Sequence, residues 1–294
     1  YGRKLKINIG GLQGGHSGVD IGKNRMNATL LLARLLFDLR ELCHFALLDM
    51  RGGFKDNVIP REAEATLLLP AEEGVSLSAA YENAEKSIKE LMEKYQHELS
   101  GSEPGLEFGI ADLGEDTCDV IDSYSFEKLL FMLTFIPNGV QVMSADIEGL
   151  VESSLNIGIF RTEADRAELY SSIRSSKSSY KYHVSNKLEY LTNFLGGDYE
   201  RRWEYPAWEF RKDSKLRDHF QRISKEMYGR EMKVEAIHAG LECGLIAEKM
   251  PHLDIVSIGP DMHGVHTVEE RLSISSALRV YKLLERVVSE KIGA

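Results

Sequence analysis

Apolar residues follow two periods along this chain, and the changes between them mark the elements. Leu5-Lys6-Ile7-Asn8-Ile9 alternates at every second position and predicts a strand over 4–9, followed by a glycine-rich turn from Gly10 to Gly18. Leu30, Leu31, Ala33, Leu35 and Leu39 recur at helical spacing and predict a helix over 24–42. Further strands are expected at Phe45–Met50, Ala63–Leu69 and Leu106–Leu113. Arg51-Gly52-Gly53 reads as a turn and Asn57-Val58-Ile59-Pro60 as an extended link. A long amphipathic helix is expected over 76–97, with Ser76 or Ser78 as its N-cap. The order strand–helix–strand–strand–helix–strand predicts an antiparallel sheet with helices on one face.

A second round repeats the theme. A helix is expected over 123–136, a strand pair at Leu155–Phe160 and Glu168–Arg174, a helix over Ser176–Leu195 and a strand at Asp198–Glu204. The two rounds can build one continuous sheet. Near Tyr205-Pro206-Ala207-Trp208 the pattern changes to helix (214–228), strand (Lys233–His238), helix (Leu241–Lys249), strand (Ile255–Ile258) and helix (276–291). That alternation is α/β. The predicted class is therefore α/β, with an α+β domain over 1–205 and part of an α/β domain over 206–294. The second segment holds too few strands for a parallel sheet covered on both faces, and so reads as the closing part of a larger domain. The chain also begins with Tyr1 rather than Met, within three residues of a strand, so the sequence is expected to start inside a longer protein.

Charge and composition narrow the function. The 294 residues are 43% hydrophobic and 28% charged, an ordinary globular balance. A formal net charge of −10 speaks against a nucleic-acid partner, whose phosphates call for a basic patch. No run of about 18 apolar residues predicts a membrane span. Three scattered cysteines, Cys43, Cys118 and Cys243, fit neither a disulfide framework nor a thiolate zinc site, and point to a reducing, cytoplasmic setting.

Several segments carry candidate chemistry. In Gly14-Gly15-His16-Ser17-Gly18, small residues let the backbone turn tightly around one imidazole, which can donate to a developing oxyanion or merely cap a neighbouring backbone group. The run lacks the G-x-G-x-x-G spacing of a dinucleotide site. His263 and His266, in the loop after Gly259-Pro260, are imidazoles at the end of an expected strand; either can ligate a metal, or remain a solvated loop residue. His238-Ala239-Gly240-Leu241-Glu242 joins a strand to a helix. Gly240 allows close approach of a ligand, and Glu242 suits the first helical turn as a dipole partner. The amide of Asn57 and the guanidinium of Arg174 are suited to a substrate carbonyl or carboxylate, although Asn in turns and Arg at strand ends also serve local or surface roles. His252-Leu253-Asp254 has metal-site spacing, but Asp254 reads better as the first residue of a strand.

Taken together, Gly10–Ile21, Asn57–Ala63, Ala236–Gly244 and Gly259–His266 resemble, in order, motifs of the aminoacyl-histidine dipeptidases, also called Xaa-His or cytosolic non-specific dipeptidases, within the dinuclear zinc peptidases and amidohydrolases. The resemblance implies a lid domain inserted into a catalytic α/β domain, a dipeptide substrate, two zinc ions and a homodimer. It implies that His16 stabilises the tetrahedral intermediate and that His266 is the last metal ligand. Asn57, Arg174, His238, Gly240 and Glu242 would then border the substrate.

Two departures are visible. Val268 stands where relatives often carry Pro, and no segment matches the His-x-Asp, bridging Asp, Glu-Glu pair or further carboxylate that the family places before its lid. The expectation is a dipeptidase when complete and an inactive chain when alone. A non-catalytic dimerisation module and an N-acyl amino acid amidohydrolase are the alternatives.

Overall fold

The computed structural model describes residues 1–235, 241–264 and 269–291. The chain divides into two compact units, with the boundary in sequence between Arg202 and Trp203. Among the described residues there are seven α-helices, and none is long and apolar enough to cross a membrane.

The first unit runs β1 (Gly2–Gly10), β2 (Gly15–His16), α1 (Ala28–Leu39), β3 (Ala46–Gly52), β4 (Val58–Ile59) and β5 (Ala63–Pro70). It continues with α2 (Leu77–Leu99), β6 (Glu107–Asp116), α3 (Ser123–Phe135), β7 (Gly139–Met143), β8 (Val151–Thr162), β9 (Ala167–Ser175) and α4 (Ser178–Phe194). Seven strands form one antiparallel sheet in the order β6-β1-β5-β3-β8-β7, with β9 on the other side of β8. The α/β class and the single continuous sheet follow the pattern read from the sequence.

Alternation in β1 divides the sheet's faces. Leu5, Ile7 and Ile9 are buried with Leu67, Leu69 and Ala65 of β5 beneath the helices. On the other face Lys4 pairs with Asp116 and Lys6 with Glu64. The helices supply matching stripes. Helix α1 buries Leu31, Leu32, Leu35, Leu36 and Leu39, and α2 buries Ala84, Ile88, Leu91, Tyr95 and Leu99 at i, i+4, i+7 spacing. A smaller cluster seats Val184 and Leu188 of α4 on Leu155 and Ile157 of β8.

Capping explains where the helices begin. Asn27 accepts from the Thr29 and Leu30 amides, so α1 starts at Ala28 rather than at 24. Of the two candidate caps of α2, Ser76 is the one used, accepting from the Ala79 amide.

The second unit contains α5 (Lys215–Tyr228), α6 (Glu242–Lys249), β10 (Met262–His263), β11 (Arg271–Leu272) and α7 (Ile274–Ser289). Phe220 and Ile223 of α5 pack on Leu283 and Val287 of α7. Two expected strands need correction: among the described residues, 198–204 and 255–258 form no ladder. Of the strand expected at Lys233–His238, 236–238 lie outside the described residues. Val256 and Ile258 pack against the α5–α7 cluster, so their apolar character reflects burial alone; a strand also needs a neighbour to accept its backbone hydrogen bonds. Asp254 begins no strand. It accepts from the Ser214 hydroxyl at 2.6 Å and the Leu216 amide at 2.8 Å, and so caps α5. Burial alone would raise its pKa, but these bonds and the nearby Arg211 and Arg217 hold it below the ordinary value.

Candidate active site

The glycine run after β1 ends in β2, which pairs with β4: Gly15 faces Ile59 and His16 faces Val58. The Ser17 amide donates to the Asn57 carbonyl at 2.9 Å, extending this short ladder by one bond. His16 and Asn57 are thus tied through the backbone. Glycine is required at Gly15, where φ is +135° and a Cβ would fall 2.6 Å from the Asp20 carboxylate.

The His16 ring is held by its own loop. The Gly18 and Val19 amides donate to Nδ1 at 3.1 and 3.3 Å. An Nδ1 that accepts has no proton, so in the neutral ring the proton sits on Nε2 and that nitrogen is a donor. The main chain of His16 is fixed as well, its amide donating to the Asp20 carboxylate at 2.9 Å. Burial would raise the Asp20 pKa, but Lys23, the His16 amide and Arg25 outweigh it and keep the group below the ordinary value. Asp20 therefore stays ionised at neutral pH and keeps its grip on the loop.

Asn57 sits in a strap clamped by β8. The fully buried Asn156 donates from Nδ2 to the carbonyls of Asp56 and Val58, at 2.9 Å each, so one side chain spans Asn57. Gly158 lets the strap approach, because a Cβ there would lie 2.4 Å from the Asp56 Cα. Arg174 belongs to the same corner. It stands opposite Ser154 in the β8–β9 ladder, two positions along from the Asn156–Ser172 pair and on the same face. Burial pulls its pKa below the usual arginine value and the charge of Asp56 opposes that shift. His16 and Asn57 are thus joined by backbone pairing, and Arg174 lies near Asp56, on the face of the β8–β9 ladder that carries Asn156.

Glu242 is the first residue of α6 in the second unit, exposed and in the acidic first-turn position that the helix dipole favours. His238, Gly240 and His266 lie outside the described residues. His263 lies in β10 and is exposed. Asn156 and Asp20 hold the site and escaped the sequence reading. Asp20, four residues from His16, was within reach of a local motif search; Asn156, about a hundred residues from the strap it holds, gave no local signal.

The corner is also where polar groups lack partners. Among the described residues, six buried side-chain nitrogen or oxygen atoms have no hydrogen-bond partner, and Ser17 Oγ, Arg25 Nε, Asn156 Oδ1 and Arg174 Nε all belong to this region. An orphaned buried polar atom costs about 1–3 kcal/mol, and each of these atoms retains the capacity to bond a water or a polar ligand. Among the described residues no group of three or more His, Cys, Asp or Glu side chains is arranged to hold a metal ion.

The description "Peptidase dimerisation domain" matches residues 7–96, and "Peptidase family M20/M25/M40" matches residues 54–290. The chain is 32% identical over 286 residues to the cytosol non-specific dipeptidase of Escherichia coli (strain K12), an alignment covering 97% of this chain and 57% of that protein. It superposes on the crystal structure of aminoacylhistidine dipeptidase from Vibrio alginolyticus with a TM-score of 0.88 and 30% identity, covering 99% of this chain and 58% of that one. It therefore spans a little over half the length of both relatives. On the extent of the family match and the identity to its dipeptidase relative, the chain belongs to the peptidase family M20/M25/M40.

Proposed function

We propose that the protein acts as a metal-dependent dipeptidase of the cytoplasm, hydrolysing dipeptides of the Xaa-His type as a homodimer with two zinc ions. The observation that carries the reading is the corner itself: an imidazole whose Nδ1 is occupied by backbone amides, a strapped Asn57 and the half-buried Arg174, surrounded by orphaned polar atoms. In this reading residues 1–205 are the lid and dimerisation-type domain, and 206–294 the C-terminal part of the catalytic α/β domain. The exposed Ile274, Leu278, Tyr281 and Val288 along α7 support the second assignment, since such a stripe suits a helix that packs inside a larger domain.

The roles follow from the chemistry of each group. The Nε2–H of His16 donates to the oxygen that becomes negative as the peptide carbonyl turns tetrahedral. Arg174 pairs with the dipeptide carboxylate, and burial strengthens that pairing by excluding competing water. Asn57 orients the substrate through its amide, with His238, Gly240 and Glu242 bordering the same ligand. His266 is the proposed metal ligand in this chain. A catalytic zinc takes about three protein ligands, and the described residues do not by themselves form such a set.

Replacing His16 with Ala in the full-length protein tests the central role. The expected result is a fall in kcat of about 10²–10³-fold with dipeptides, the loss typical of one oxyanion donor. A kcat near that of the wild type removes His16 from the chemistry. Comparing Xaa-His dipeptides with N-acetyl amino acids decides the substrate class. Residues 1–294 expressed alone are expected to be inactive; two equivalents of zinc together with dipeptide cleavage would refute that expectation.

A further inference from the structure

We propose that Glu103, which lies outside every motif discussed above, is a positioning residue for His16; the proposal deepens the dipeptidase reading and rests on it. Glu103 is 1% exposed, and its carboxylate reaches across to both ends of the segment that carries the imidazole. Oε2 accepts from the Gln13 amide at 2.8 Å, three residues before His16, and Oε1 accepts from the Met26 amide at 2.8 Å, just before the cap of α1. One side chain thus closes residues 13–26 into a loop at its base. Because the segment runs from the end of β1 to the start of α1, fixing those two amides fixes the frame within which Asp20 and the Gly18 and Val19 amides orient the ring.

The carboxylate is itself presented from a rigid support. The Glu103 amide donates to the Leu99 carbonyl at 2.7 Å, and its own carbonyl accepts from Leu106 at 3.1 Å, so the residue is anchored to the end of α2. Pro104 follows and restricts the Glu103 backbone to extended conformations. The neighbouring backbones touch. A Cβ on Gly11 would sit 1.8 Å from the Gly105 carbonyl oxygen, and one on Gly105 would sit 2.7 Å from that of Gly11. The Gln13 side chain adds a bond from Nε2 to the Ser102 carbonyl at 2.5 Å. A carboxylate is the one side chain with two acceptor oxygens and no proton to conflict with the incoming amides. Glutamine has the same shape but only one acceptor, and would turn an NH₂ group toward a backbone N–H.

The test compares wild type, Glu103→Gln, Glu103→Asp, His16→Ala and the His16→Ala/Glu103→Gln double variant in the full-length protein, with dipeptide kinetics and hydrogen exchange of the Gln13 and Met26 amides. If Glu103 acts through His16, Glu103→Gln lowers kcat by about 10-fold to 10²-fold, the scale expected for slight misplacement of a reacting group, with KM within about threefold. It should lower kcat no further on the His16→Ala background. Exchange should rise at Gln13 and Met26 while the interior of α1, Leu31 to Leu36, stays protected. Glu103→Asp, which keeps the charge on a shorter arm, should fall between the two and covers the case in which Glu103→Gln does not fold. An unchanged kcat, an equal further loss on the His16→Ala background, or exchange raised throughout α1 would each overturn the proposal. A wild-type protein inert toward dipeptides would instead sink the dipeptidase reading, and the exchange at Gln13 and Met26 would still decide the clamp.

Discussion

Asn156→Asp tests the strap around Asn57, because the two side chains share a shape and have opposite hydrogen-bonding sense. Asn156 donates to the carbonyls of Asp56 and Val58 at 2.9 Å each and is fully buried. An ionised carboxylate in its place leaves both carbonyls unpaired, at about 1–3 kcal/mol each, or about 2–6 kcal/mol together before any repulsion. Burial disfavours the charge, so the new carboxyl has a folded pKa above its unfolded value of about 3.9. The sign follows: an acid with a raised folded pKa contributes most to stability below its unfolded pKa and loses that contribution as pH rises through the folded one. When protonated, the group regains one donor and can restore one of the two bonds. The variant should therefore approach wild type near pH 4 and fall away by pH 8, by about 1.4 kcal/mol for each unit by which the pKa is raised. Asn156→Ala should cost a similar 2–6 kcal/mol with no added pH dependence. Urea-dependent hydrogen exchange of β5 and β8 peptides, read by mass spectrometry at pH 5 and pH 8 against wild type, measures both. A variant as stable as wild type at pH 8, or one that gains stability with rising pH, would refute the assignment of Asn156 as the donor that holds the strap.

Two further outcomes are expected. Gly158→Ala puts a methyl 2.4 Å from the Asp56 backbone and should destabilise the first unit by about 1–3 kcal/mol through overpacking, measured by the same exchange experiment; a neutral effect would mean that the strap is not seated on β8. The Glu168 carboxylate, held by Arg166, Arg161 and Tyr170, should titrate at about 2 instead of its ordinary 4.5. Its contribution to stability is present above pH 4.5 and lost as pH falls toward 2; side-chain carbon shifts across an acid titration check this, and a midpoint near 4.5 would refute it.

The first unit was largely legible because its local patterns agree with its tertiary contacts. Leu5, Ile7 and Ile9 alternate in sequence and are buried on one face of β1, and the Ser76 cap of α2 is followed by apolar residues at helical spacing. Where pattern and pairing part, the reading failed. Val256 and Ile258 look like strand residues because burial selects the same side chains whether or not a partner strand exists. Strand β7 was missed because Gly139–Met143 is short and irregular, with two register shifts against β8. At the candidate site, the residues proposed to meet a ligand announce themselves through unusual local chemistry, as His16 does among glycines. The residues that hold them in place do not: Asn156 is one of several polar residues in its strand until the fold sets it beneath Asp56 and Val58.

The short β2–β4 ladder has a mechanical consequence. His16 and Asn57 come from distant stretches of chain, yet paired backbone positions and the bond from Ser17 to Asn57 rivet them into one plate. A pull on either is transmitted to the other without passing through the hydrophobic interior, and because Asn156 ties Asp56 and Val58 to β8, the spacing of the pair is referred to the sheet behind it.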